Sequence, residues 1–147
     1  RFGHQFADII EGDGDTIGIL ISYPGRMLGR LSLTTGRQLW GIHGAIGFIR
    51  FARRALPLAF VKEADADEFF INALAVSPAF QGRGIGSQLL SYAEPKARSQ
   101  HYNKCSLSVA RSNLRACHLY ERGYRVVETI PCDLPGYAGY HPMVKVL

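Results

Sequence analysis

Short apolar runs, broken by glycine, proline and acidic residues, open the chain. Phe6 to Ile10 and Thr16 to Tyr23 are β-rich. The connector between them, Glu11-Gly12-Asp13-Gly14-Asp15, holds residues that tolerate the positive φ of tight turns, so the pair predicts a hairpin. The alternating aspartates resemble a calcium loop, but the bidentate Glu that closes such a loop is absent, and a plain turn is the reading. Pro24-Gly25 ends the second run. From about Gln38 to Leu56 a broad apolar face with Arg50, Arg53 and Arg54 placed late predicts a helix. Gly41, Gly44 and Gly47 weaken that helix in isolation. Asp65-Ala66-Asp67 is a polar connector.

Phe69 to Val76 is nearly continuous in apolar character, which predicts a central strand buried on both faces. Ser77-Pro78 stops it, and a glycine-rich turn leads into a helix carrying Ile85, Leu89, Leu90, Ala93 and Ala97. Pro95 removes the hydrogen bond to the Ser91 carbonyl and is expected to kink or end that helix nearby. Leu107 to Ala110 reads as a strand. Asn113 to Arg122 reads as a helix capped by Ser112 or Asn113 and stopped by Gly123. Arg125 to Ile130 and Met143 to Leu147 complete the set as strands. The order β-β-α-β-α-β-α-β-β makes a mixed α/β sheet domain.

A chain of 147 residues fits one domain, and 47% hydrophobic with 20% charged residues is an ordinary globular composition. The net charge of +5 suits an anionic partner. The basic residues are scattered, without zinc-finger spacing or a basic repeat, so nucleic acid is not the expected partner. Cys105, Cys117 and Cys132 form no C-x-x-C pair, and the histidines lack ligand spacing, so neither a disulfide framework nor a metal site is expected. Reduced cysteines fit a cytoplasmic protein. Leu39 to Ala52 is shorter than the ~20 apolar residues of a membrane span and is interrupted by His43 and Arg50, so no membrane association is expected.

The chemically informative stretch is Gln81-Gly82-Arg83-Gly84-Ile85-Gly86, between a strand and a helix. A helix start leaves backbone N–H groups unpaired and carries partial positive charge, and glycines let an anion approach that backbone. A Walker A loop would need Lys and Ser/Thr where Ile85-Gly86 stand. A dinucleotide fingerprint counted from Gly82 would need glycine where Ser87 stands. The run instead resembles the Gln/Arg-x-x-Gly-x-Gly/Ala signature of the GNAT superfamily, the Gcn5-related N-acetyltransferases. Leu74-Ala75-Val76-Ser77-Pro78 precedes it. Asn113-x-x-Ala116-x-x-Leu119-Tyr120-x-x-Gly123-Tyr124 resembles the family's downstream helix motif, and Met143 to Leu147 is similar to its last strand. The resemblance runs from about Ala7 to the C-terminus.

The resemblance implies a GNAT-type mixed, mostly antiparallel central sheet flanked by helices, acetyl-CoA as cosubstrate, and no metal. It implies that backbone amides of Gln81, Gly82, Arg83, Gly84, Ile85, Gly86 and Ser87 hold the coenzyme A pyrophosphate. The strand end at Leu74, Ala75 and Val76 would pair with the pantetheine arm, and an amide there would steady the developing oxyanion. Asn113 would contact the pantetheine. Tyr120 would lie near the sulfur as proton donor, a phenol of pKa ~10 being protonated at neutral pH. The base is left open. Glu68 shares a strand face with Phe70 and Asn72 and is the candidate, acting through water; otherwise it is a solvated strand end and the amine loses its proton to solvent. His118, about 200° around the helix from Tyr120, reads as surface or packing. Cys105 and Cys117 read as small core residues, and Tyr137 and Tyr140 as loop residues that could shape an acceptor pocket.

The family fold begins with a strand and two helices ahead of the hairpin. Residues 1–147 are therefore expected to be a single domain lacking that upstream segment, in keeping with the start at Arg1. The insertion at 24–67, with its apolar helix, would supply an acceptor-site wall or a homodimer contact. The acceptor is expected to be a small-molecule or peptide amine. The alternative is a catalytically degenerate GNAT-like module that binds coenzyme A or a protein partner.

Overall fold

A computed structural model of the chain describes residues 6–12, 14–28, 64–131 and 138–147. The helix expected at Gln38 to Leu56, with its arginines and glycines, lies outside them, as do Cys132 and Tyr137. The hairpin forms as expected: β1 (Ala7–Gly12) pairs antiparallel with β2 (Asp15–Pro24). Both strands run further into the connector than their apolar residues suggested, with Gly12 opposite Asp15 and Gly14 in the turn at φ 86°.

The remaining elements are β3 (Phe69–Val76), α1 (Ile85–Ser99), β4 (Lys104–Ala110), α2 (Leu114–Tyr120), β5 (Arg125–Val126) and β6 (Tyr140–Val146). They complete a six-stranded sheet in the order β1-β2-β3-β4-β6-β5. All neighbours are antiparallel except β3 and β4. A parallel pair cannot be joined by a hairpin, and α1 makes the crossover. The fold is thus a mixed, mostly antiparallel sheet with helices, as the sequence implies.

Helix α1 shows why this segment is helical and where it must lie. Ile85, Leu89, Leu90, Ala93 and Ala97 recur at helical spacing, and all five are buried in one core cluster with Leu20, Phe69, Ile71, Leu107 and Met143. Two ion pairs fix its outer edges: Lys96 to Asp8 on β1, and Glu94 to Lys145 on β6, at 2.6 Å. Pro95 does not end the helix, which continues to Ser99. The ring stands on the exposed face, while Ala93 and Ala97 on either side are fully buried. Core packing of those neighbours offsets the one hydrogen bond Pro95 removes.

Two further expectations change. The strand expected from Arg125 to Ile130 is paired only at Arg125–Val126, with an isolated bridge from Ile130 to Tyr140. Val126 and Val127 are exposed, so apolar content here reflects no buried face. The last strand starts earlier than expected. Tyr140 is its first residue and is 5% exposed, so it belongs to the sheet rather than to the preceding loop.

Candidate functional site

Strands β3 and β4 pair over three residues only, Phe69–Ile71 against Cys105–Leu107. Beyond that point each keeps its outer partner. Strand β2 stays on β3 as far as Val76, and β6 stays on β4 as far as Ala110. The sheet is therefore split into two halves that share a base and part above it. Along the split, Asn72 to Val76 of β3 have no ladder with β4, and such an edge is a template for pairing with an extended ligand.

The glycine turn caps this split. Ser77 to Phe80 make a tight turn, closed by the Phe80 N–H on the Ser77 carbonyl at 2.9 Å. Gly82 and Gly84 follow at φ 80° and 81°, a left-handed region that is costly for any residue with a Cβ. Gly84 is the N-cap of α1, and the helix's first bond is Gln88 N–H to the Gly84 carbonyl at 3.1 Å. The amides of Ile85, Gly86 and Ser87 thus precede the helical ladder and are free to receive an anion. Gly86 serves a different purpose: a Cβ there would stand 3.0 Å from Leu119 Cδ2. Its absence lets α1 and α2 approach closely across the split.

Helix α2 is the other wall. Asn113 caps it, its Oδ1 accepting the Ala116 N–H at 3.2 Å. Between turn and helix opens a cleft of about 550 Å³, lined among others by Leu74, Val76, Gln81, Gly86, Asn113 and Tyr120. Leu119 and Ala116 give it an apolar floor. Tyr120 is 8% exposed, its ring 6.4 Å from that of Tyr124 in an edge-on arrangement. Burial, with a smaller contribution from Cys117, raises its pKa above the ordinary tyrosine value, so the hydroxyl keeps its proton at neutral pH.

The structure brings together nearly all the residues expected to hold a cofactor. Leu74, Val76, Gln81, Gly82, Gly84, Ile85, Gly86, Ser87 and Asn113 all line the cleft, and so does Tyr120. Ala75 lies on the same stretch of β3 but is not a lining residue. Arg83 stacks its guanidinium on the Phe80 ring, 5.2 Å from the centroid.

Glu68 is not brought to the cleft. It stands just ahead of β3, six residues from Leu74 and so about 20 Å away along extended chain. It is neither solvated nor poised for proton transfer to the cleft. At 7% exposure, its Oε2 accepts the Asp65 N–H at 3.0 Å and its carbonyl accepts the Gly25 N–H at 2.8 Å. With Asp65 and Asp67 it makes a carboxylate cluster whose ligand atoms lie within 4.8 Å of one another. Asp67 there is paired with Lys104 at 2.9 Å.

Sequence reasoning passed over Arg115 and Arg122, and read His118 as surface or packing only. His118 lines the cleft despite its position around the helix from Tyr120, as do Arg115 and Arg122. Their spacing, at three and four residues, was the available signal. Cys105 and Cys117 are free and buried, as expected of core residues.

A split mixed sheet, with a helix start presenting free amides beside the split, is the architecture of an acyltransferase domain. The chain belongs to the acetyltransferase (GNAT) family, whose family model matches residues 4–124. Solved structures agree in fold. An N-acetyltransferase from Staphylococcus aureus Mu50 is 27% identical with a TM-score of 0.66, over 96% of this chain and 70% of that one. A GNAT family acetyltransferase from Elizabethkingia anophelis, with acetyl-CoA bound, is 18% identical with a TM-score of 0.60, over 97% and 80%. A structure of the NatC complex bound to Gag peptide and CoA is 16% identical with a TM-score of 0.59, over 96% and 68%. No curated protein matches the sequence. Among the described residues no helix is long and apolar enough to cross a membrane.

Proposed function

We propose that this chain transfers an acetyl group from acetyl-CoA to a primary amine by direct attack. The observation that carries the reading is the parting of β3 from β4 beside the amides of Ile85, Gly86 and Ser87. An extended, phosphorylated thioester needs both features: unpaired strand edge for its amide-bearing arm, and unpaired amides at a helix start for its phosphates.

In this reading the pantetheine arm lies along Leu74 to Val76 with Asn113 opposite, and the pyrophosphate sits on the turn from Gln81 to Ser87. The neutral amine attacks the thioester carbonyl carbon. A β3 amide near Leu74 receives the developing oxyanion. The C–S bond then breaks, and the thiolate takes the Tyr120 phenol proton. The amine's own proton passes to solvent, because the one candidate base, Glu68, stands at the far end of β3. No metal is required.

The acceptor is a small-molecule or peptide amine. The structural relatives include a complex holding a peptide and a nourseothricin acetyltransferase, so both classes are within reach of the fold. Unpaired Cys105 and Cys117 support a cytoplasmic setting. The homodimer contact envisaged for the 24–67 insertion lies largely outside the described residues.

Thermal unfolding with acetyl-CoA, against ATP and NAD controls, tests the cosubstrate. Ligand at a hundredfold its Kd adds ~2.7 kcal/mol, which raises Tm by several degrees. A shift with acetyl-CoA alone, followed by amine-dependent release of free thiol, is the expected result. A shift without thiol release for any amine class would mark a non-catalytic module that binds coenzyme A. No shift at all would overturn the reading.

A further inference from the structure

Helix α2 presents three kinds of surface to the cleft, in an ordered sequence. At about 100° per residue, and taking Arg115 as zero, Leu119 lies about 40° around the helix, Ala116 about 100° and Tyr120 about 140°. His118 falls about 60° on the other side of Arg115, and Arg122 stands in the turn just past the end of the helix. All six line the cleft. One edge of the wall is therefore cationic, the middle apolar, and the far edge carries the phenol.

The cationic edge is built rather than incidental. Arg115 Nη1 donates to Gln81 Oε1 at 2.6 Å, and Gln81 Nε2 in turn donates to the Val76 carbonyl at 3.0 Å. This chain of bonds ties the guanidinium to the end of β3 and holds it beside the glycine turn. Arg115 Nη2 stands 3.8 Å from where a Gly82 Cβ would be, an ordinary contact distance, so the guanidinium lies against the glycine turn. The Gln81 carbonyl oxygen is neutral, so Arg115 keeps its full charge for a ligand. An acidic group, Glu121, stands at this edge, its Oε2 3.5 Å from His118 Nδ1, and is exposed.

Two anion-receiving features thus sit side by side on opposite walls: neutral amides on α1, and charged side chains on α2. A single diphosphate is served by the first. The second calls for another anionic group on the same ligand, carrying more charge than amides alone would select.

We propose that Arg115, held by Gln81, with His118 and Arg122 beside it, is the site for the 3′-phosphate of the coenzyme A nucleotide, so that this chain discriminates coenzyme A from 3′-dephospho-coenzyme A. The assignment rests on the acetyl-CoA reading above and makes the ribose phosphate a determinant of specificity. Arg115 supplies planar, charge-assisted donors to the phosphate oxygens, and Arg122 adds a second cation from the turn that follows the helix.

Calorimetric titration of the full chain with coenzyme A and with 3′-dephospho-coenzyme A decides it, in the wild type and in an Arg115→Gln/Arg122→Gln double variant. The wild type binds coenzyme A at least tenfold more tightly than the dephospho form. The variant, verified as folded by its unchanged circular dichroism and cooperative melting, binds both with the wild type's affinity for the dephospho form. Equal wild-type affinities for the two ligands would overturn the assignment while leaving the acetyl-CoA reading intact. An equal loss for both ligands in the variant would also overturn it, placing the arginines on the pyrophosphate. Failure of the wild type to bind either ligand would sink the acetyl-CoA reading and this site with it.

Discussion

Gln81 donates its side-chain amide to the carbonyl of Val76 at 3.0 Å, joining the start of the glycine turn to the last residue of β3. The bond spans the corner where the strand ends and the glycine turn begins. It fixes the turn amides relative to the open edge of the strand, the two surfaces that one extended ligand must reach together. Gln81→Ala removes this bond and the one to Arg115. At a net ~0.5–1.5 kcal/mol for each of the two bonds, together ~1–3 kcal/mol, acetyl-CoA affinity falls by roughly five- to 150-fold. Titration calorimetry measures it, and an unchanged Kd would show that the turn holds its shape without Gln81.

Tyr120→Phe removes the proposed proton donor but keeps the ring that packs on Tyr124. Loss of general acid catalysis lowers kcat by about 10²–10⁴-fold while the Kd for acetyl-CoA stays within about twofold. Steady-state kinetics beside binding measurements separate the two. A variant with full kcat would remove Tyr120 from the mechanism.

Glu68→Gln tests the residue that the sequence offered as base and the structure sets apart. The expected outcome is kcat within about twofold of wild type, with stability lowered by ~1–2 kcal/mol as the buried carboxylate's bond to the Asp65 N–H weakens. Urea unfolding and initial-rate assays measure these. A hundredfold loss of kcat in a stable variant would restore Glu68 as the base.

Stability against alkali carries a signature of the core. Burial raises the Cys105 thiol from 9.0 to about 11. Because the folded-state value lies above the unfolded one, the native state binds this proton more tightly. The associated stability is complete below about pH 9 and is lost as pH rises through about 11. Tyr120 and Tyr124 are raised by burial too, and add their losses only above the ordinary tyrosine pKa of ~10. Urea unfolding from pH 8 to 11 is therefore expected to show a decline starting near pH 9 in the wild type, and nearer pH 10 in Cys105→Ala. The same onset in both proteins would contradict this assignment.

The local signals in the chain were sufficient for the strands and helices that are buried. Ile85 to Ala97 was marked by helical spacing and Phe69 to Ile71 by continuous apolar character, because burial demands those patterns directly. The rest of that strand, expected to be buried on both faces, is not, and Asn72 and Ala75 are exposed where β3 has parted from β4. The glycine turn was equally legible. Gly82 and Gly84 occupy conformations that side chains resist, so their place in the sequence records the shape of the backbone. Where no face is buried the pattern misled, as at Val126 and Val127, which are apolar and exposed. Pro95 misled for the opposite reason: the packing of Ala93 and Ala97 outweighs a local preference that the sequence shows plainly.

The sequence by itself thus determined the order of the described elements, the core face of α1, the glycine turn at the helix start and the position of Tyr120 on its helix. Only the tertiary structure decided that β3 and β4 part after Ile71, since pairing between strands more than thirty residues apart leaves no mark in either. It alone set Glu68 at the closed end of that pair, and placed Arg115 against Gln81 across 34 residues of chain. Spacing along one helix or strand follows from local geometry. Distance between two elements follows from how their buried faces pack, which is a property of the whole core.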